Sequence, residues 1–177
     1  MAASLVALAL LGTAAHAGTS GLYVSGGIGT SASTGGAISD FGSDGQMSGR
    51  LEMGKTFGIV SFAGGLNYYG VTYGGDWSAV STVAVAKLDL PIVPLVNGYV
   101  RLGLEHTWLS PPSGSSVKGL DGNGWTGGLG VEYKLDTYLA GASVWLDYTR
   151  HADTFKRGNT TATGDANMLT LGASFNL

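Results

Sequence analysis

L-T-L-G-A-S-F-N-L, residues Leu169 to Leu177, alternates without a fault. Leu169, Leu171, Ala173, Phe175 and Leu177 fall on one face of an extended strand, and Thr170, Gly172, Ser174 and Asn176 fall on the other, because successive side chains of a strand point to opposite sides. The apolar face runs to the last residue, where chains in water are usually loose. This predicts a strand that closes a sheet rather than frays from it, with its apolar side turned toward hydrocarbon.

Composition points the same way. Charged residues make up 12% of the 177-residue chain and glycine accounts for 31 positions, against about 25% and about 7% in ordinary soluble domains. No G-X-Y period accompanies the glycine, and the aromatic content of 10% argues against disorder. Half-apolar strands with small residues turned into a crowded interior have this composition. The net charge of -3 and the scattered cations offer no patch for nucleic acid. The chain has no cysteine, which excludes disulfide staples and thiolate metal sites. Residues 1–17 read as a secretory signal, with an apolar core at Leu5–Leu11 and the small-residue site Ala15-His16-Ala17, although no Lys or Arg precedes the core. Residues 18–177 are expected to form one domain. No later stretch reaches the roughly 18 consecutive apolar residues of a membrane helix, so a membrane reading rests on strands.

Seven further runs precede the terminal one. The sequence predicts strands over 21–31, 46–54, 59–73, 77–90, 99–109, 122–135 and 138–148, and the last over 166–177. Long polar loops are expected at 32–45, 110–121 and 150–165, and shorter turns follow the second, fourth and sixth strands. The V-A-V-A alternation of the fourth strand leaves its facing open. An even number of strands of about 10 residues, with long loops on one rim and short turns on the other, is the pattern of an all-β, eight-stranded antiparallel transmembrane β-barrel. Closure follows because hydrocarbon offers no partner to an open edge. A soluble barrel with its apolar face inward is the rival reading. It would leave its outside coated by little more than Arg50, Glu52, Arg101, Glu105, Glu132 and Asp147, too few charges for a water-facing surface.

Three stretches carry a resemblance: G-G-L-G-V-E-Y-K-L (Gly127–Leu135), V-W-L-D-Y-T-R (Val144–Arg150) and the terminal strand. They look like the penultimate strands and carboxy-terminal assembly signal of small OmpA-like, OmpX-like or opacity-type outer-membrane barrels. The resemblance implies location in a bacterial outer membrane with both termini periplasmic. It also implies contact with outer-membrane lipids, lipopolysaccharide included, and recognition by the barrel assembly machinery through Phe175 and Leu177. Leu177 departs from the aromatic that usually ends such chains. The resemblance specifies architecture and no activity.

Arg50, Glu52, Arg101, Glu105, Glu132, Lys134 and Asp147 share the inward parity. Enclosed charges must pair, since an isolated one is too costly to bury, so these residues are expected to plug the interior with salt bridges. The alternative is a narrow conducting path. Trp77, Trp108, Trp125, Tyr133, Tyr138 and Tyr148 lie near strand ends and are expected to form interface girdles. His106 and His151 fall near the outer rim. An enzyme acting on lipid A would need such a base beside a nucleophile, but His151 is followed by Ala152-Asp153 rather than by a serine two positions on. No catalytic residue, metal site or cofactor is expected. The sequence therefore predicts a non-enzymatic barrel with a structural or adhesion-type surface role, whose long loops meet an extracellular ligand.

Overall fold

The computed structural model describes residues 21–36, 46–72, 76–111, 114, 118–135, 141–157 and 160–177. Eight strands follow in chain order: β1 (Leu22–Gly36), β2 (Gln46–Phe57), β3 (Val60–Thr72), β4 (Asp76–Val93), β5 (Val96–Ser110), β6 (Leu120–Lys134), β7 (Ala142–Arg157) and β8 (Thr160–Asn176). Each pairs antiparallel with the next, and β8 returns to pair with β1, so the sheet is a closed barrel. The expected signal segment at 1–17 and Tyr138 lie outside the described residues.

Pairing fixes the tilt. The row that starts at Asp153 runs through Gly124, Glu105, Val83, Gly65, Glu52, Ser25 and Ser174 and returns to β7 at Ser143, a stagger of ten residues. Strands must therefore tilt, and each pairing row climbs the wall as it crosses from β3 to β7. At this strand number the interior is just wide enough for side chains to fill.

The start of β1, the last residue and the turns after β2 and β4 share one rim. Gly58 makes the turn after β2 with φ of 67°, a conformation that a Cβ disfavours, and Leu95 adopts φ of 71° in the turn after β4. The Leu95 carbonyl is held there by the Lys134 amide at 2.8 Å. The Leu177 amide donates to the Leu22 carbonyl at 2.8 Å, which ties the last residue to the first strand.

Faces follow the alternation. Ile28, Leu51, Phe62, Leu66, Leu102, Leu104, Leu129, Leu146 and Leu171 are exposed on the outer wall. Ser25, Ser48, Arg50, Glu52, Asn67, Ser81, Arg101, Asp147 and Thr170 are buried inside. That is a protein turned inside out relative to a soluble one, as a lipid-facing barrel requires.

The structure corrects three expectations. The third long loop is not a loop: β7 continues to Arg157 and β8 starts at Thr160. Alternation persists there, with His151, Asp153 and Phe155 buried and Arg150 and Lys156 exposed. Both faces are largely polar, so the hydrophobic period that marks a strand is missing. For a similar reason β1 runs on to Gly36. The facing left open in β4 is settled by its partner. Tyr68 pairs with Val80, which turns Val80 outward and Ala79, Ser81 and Trp77 inward. Trp77 is therefore buried in the barrel and is not part of an interface girdle.

Candidate functional site

The interior is built in layers, because eight strands deliver inward side chains at every second residue. In the middle layer Arg50 of β2 donates from Nη1 to Asp147 Oδ1 at 2.8 Å and from Nη2 to Thr149 Oγ1 at 2.7 Å, both on β7. Its Nε donates to Asn67 Oδ1 at 3.3 Å, and its guanidinium lies 5.6 Å from the Trp145 ring centroid. Arg101 of β5 grips both oxygens of Glu52 across the barrel. Thr149 donates to Asp147 as well. Trp145 reaches over the seam to donate to Ser25 Oγ at 3.0 Å. Its ring occupies space left by glycine, since a Cβ on Gly172 would stand 2.3 Å from Trp145 Cζ2.

Toward the rim with the chain ends, Lys87 Nζ lies 2.9 Å from Glu132 Oε2 and 3.0 Å from Asp89 Oδ1. Ser143 donates to Glu132 Oε1 at 2.6 Å. Lys134 sits half-buried at the end of β6 on the same inward parity. Toward the opposite rim, His151 Nδ1 meets Glu105 Oε2 at 2.7 Å and the imidazole stacks on Tyr69 at 5.1 Å. The Tyr69 hydroxyl donates to Asp153 Oδ2 at 3.2 Å. Above this polar layer lies an apolar one of Trp77, Leu109 and Phe155, and Ala166 and Met168 join its cluster from lower on β8, where they pair with His151 and Thr149.

The free space between the middle and lower layers, lined by Tyr23, Arg50, Glu52, Lys87, Arg101 and Glu132 among others, is about 20 Å³. That holds about one water molecule. Among the described residues, no group of three His, Asp or Glu side chains is placed to hold a metal ion.

Arg50, Glu52, Arg101 and Asp147 thus meet in one network, Glu132 sits in the layer below, and Glu105 in the layer above. The sequence reading missed Lys87 and Asp89, on the strand whose facing it left open. It placed His151 at the outer rim, where the structure buries it against Glu105, and it missed Asp153, in the stretch it read as loop. No alternation in the sequence marked the first pair, whose facing is set by the register that pairs Tyr68 with Val80. Trp108, Trp125, Tyr133 and Tyr148 stand outward, each between 42% and 46% exposed. His106 also points outward, with Nδ1 at 2.8 Å from Asn123 Oδ1 and its ring edge-on to Trp108 at 4.5 Å. Phe175 is exposed on the outer wall, paired with Val24 and Ala142, and Leu177 is exposed beyond it.

A family model described as the outer membrane protein beta-barrel domain matches residues 3–176. The chain belongs to the outer-membrane β-barrel family. It is a protein of the bacterial outer membrane. Among solved structures it is similar to neisserial surface protein A (NspA), at 20% identity and a TM-score of 0.73, over 90% of this chain and 99% of that one. The N-terminal barrel of Pseudomonas aeruginosa OprF matches at 14% identity and a TM-score of 0.56, over 90% of this chain and 100% of that one. Ail, the attachment invasion locus protein of Yersinia pestis, matches at 16% and 0.52, over 89% and 100%. At these identities the likeness is one of fold. No curated protein matches in sequence.

Proposed function

We propose that this outer-membrane protein is a non-enzymatic barrel closed to passage, with a structural or adhesion-type role at the rim away from the chain ends. The observation that carries this reading is the filled interior. Three polar layers and an apolar cap stand in series, and the space between the lower two is about 20 Å³. Ions crossing such a barrel would have to break buried pairs at a cost of several kcal/mol each. The histidines support a non-enzymatic role. His151 is fully buried against Glu105, away from any lipid substrate outside, and the outward-facing His106 is engaged with Asn123 and Trp108. β7 and β8 stay paired to Arg157 and Thr160 at the far rim, and one fold neighbour is an attachment protein by name.

Planar-bilayer recording on the heat-modifiable, folded protein tests closure. A silent bilayer is expected. Discrete conductance steps that change in Arg101→Ala would replace this reading with a small pore. Adherence of cells displaying the protein, compared with cells whose far-rim segments are replaced by short turns, tests the surface role. Equal adherence would remove the adhesion reading.

A further inference from the structure

Asp153 is a buried carboxyl without a cation. It stands 3% exposed on the inner face of the upper part of β7, where the outer face carries Thr154 and Lys156 and the strand has left the hydrocarbon. The ion pairs among the described residues give it no cationic partner. Its Oδ2 accepts from the Tyr69 hydroxyl at 3.2 Å. Its Oδ1 is buried without a partner and lies over β6, where a Cβ on Gly124 would stand 2.4 Å from it. Asp153, Gly124 and Glu105 are paired in one row, so only a glycine separates the two acids along it. Glu105 gives Oε2 to His151, and its Oε1 is also buried without a partner.

The surroundings supply no second positive charge. On β1, β2, β4, β6 and β8 the inward side chains around these acids are Ser31, Ser48, Ser81, Thr126 and Met168, all buried and uncharged. His106 of β5 points outward to Asn123, and Arg150 and Lys156 of β7 face outward as well. Arg50, in the layer below, is held by Asp147 and Thr149. Trp77, Leu109 and Phe155 close the layer from above. Two carboxylates against one imidazole leave a negative charge over. A charge enclosed without a counter-charge is neutralised by taking up a proton. An ionised carboxylate only accepts hydrogen bonds, so that proton also creates a donor among acceptors.

We infer that this layer binds a proton: Asp153 is the neutral acid in the folded barrel at neutral pH, and the site acts as a pH-sensitive latch beneath the apolar cap. Tyr69 joins latch and cap, because its ring belongs to the cluster of Trp77, Leu109 and Phe155 while its hydroxyl holds Asp153. When the proton leaves, the enclosed charge draws in water and the cap above it loosens. The folded barrel holds one proton more than the unfolded chain, so stability falls as pH rises.

Infrared spectroscopy of the folded protein in lipid vesicles reads the neutral acid directly, as a carboxylic C=O stretch that shifts in heavy water. The band should be present at neutral pH, move when aspartate side-chain carboxyls carry carbon-13, and vanish in Asp153→Asn. The isotope shift needs no substitution, so the test stands even where the variant does not fold. Urea unfolding from mildly acid to mildly alkaline pH reads the latch. The unfolding constant of the wild type should rise by up to about tenfold per pH unit, or about 1.4 kcal/mol, and Asp153→Asn should flatten that rise. Absence of the carboxylic band, a band that ignores the aspartate label, or an unchanged pH slope in Asp153→Asn overturns the proposal. So does a wild type that lacks the band and is stabilised by sodium or calcium at fixed ionic strength, which would put a metal cation in the proton's place.

Discussion

Arg50 engages Asp147, Thr149, Asn67 and Glu52 from one buried guanidinium. Removing it leaves the Asp147 charge enclosed without its partner, so Arg50→Ala is expected to cost about 3–5 kcal/mol. Urea-induced unfolding from lipid vesicles measures this. The double change Arg50→Met with Asp147→Leu should recover most of the loss, since a buried pair replaced by apolar side chains is often neutral or better. Gly172 is the complementary case. A methyl there meets both Trp145 and the Gly26 carbonyl at about 2.4 Å or closer, so Gly172→Ala should destabilise by about 1–3 kcal/mol through overpacking. Much of this network was legible from parity alone. Arg50, Glu52, Arg101 and Asp147 sit opposite strongly apolar neighbours, and strand geometry then leaves them only the inside. Their pairing was not legible, because it depends on which strands face each other across the closed interior.

Among the elements, β2 and β8 were readable because one face is lipid-apolar and the other is not. The fourth strand and the upper halves of β7 and β8 were not. In β4 both faces carry small or apolar residues, so alternation loses contrast and Trp77 is assigned only by the Tyr68–Val80 register. In the β7–β8 hairpin both faces are largely polar, because the strands continue beyond the hydrocarbon and no longer need an apolar side. Hydrophobic periodicity reports the solvent as much as the strand. The outer wall offers a depth-graded check. Leu171 lies mid-belt on β8, so Leu171→Arg should cost about 2–4 kcal/mol, while Tyr68→Arg near the far interface should cost about 0–1 kcal/mol. The same vesicle-based unfolding assay separates the two.

At the scale of the whole molecule, the seal is built in series, so losing one buried pair should cost stability before it opens a path. Arg101→Ala is expected to leave the bilayer silent if the apolar layer of Trp77, Leu109 and Phe155 still caps the interior. Adding Trp77→Ala and Phe155→Ala to it should bring measurable leak, read as conductance steps in a planar bilayer. The cross-barrel pairs carry a further meaning. Arg50 on β2 and Asp147 on β7 stand on either side of the seam where β1 meets β8, and Trp145 reaches across that seam to Ser25. A seam mis-set by one residue would turn every side chain to the wrong face, and alternation forbids it. A seam mis-set by two residues passes that check unnoticed, yet it slides the two halves of the wall by about 7 Å and pulls Arg50 off Asp147. The buried charges therefore act as an error-detecting code for closure: they certify that the first and last strands of the ring have met in the right place.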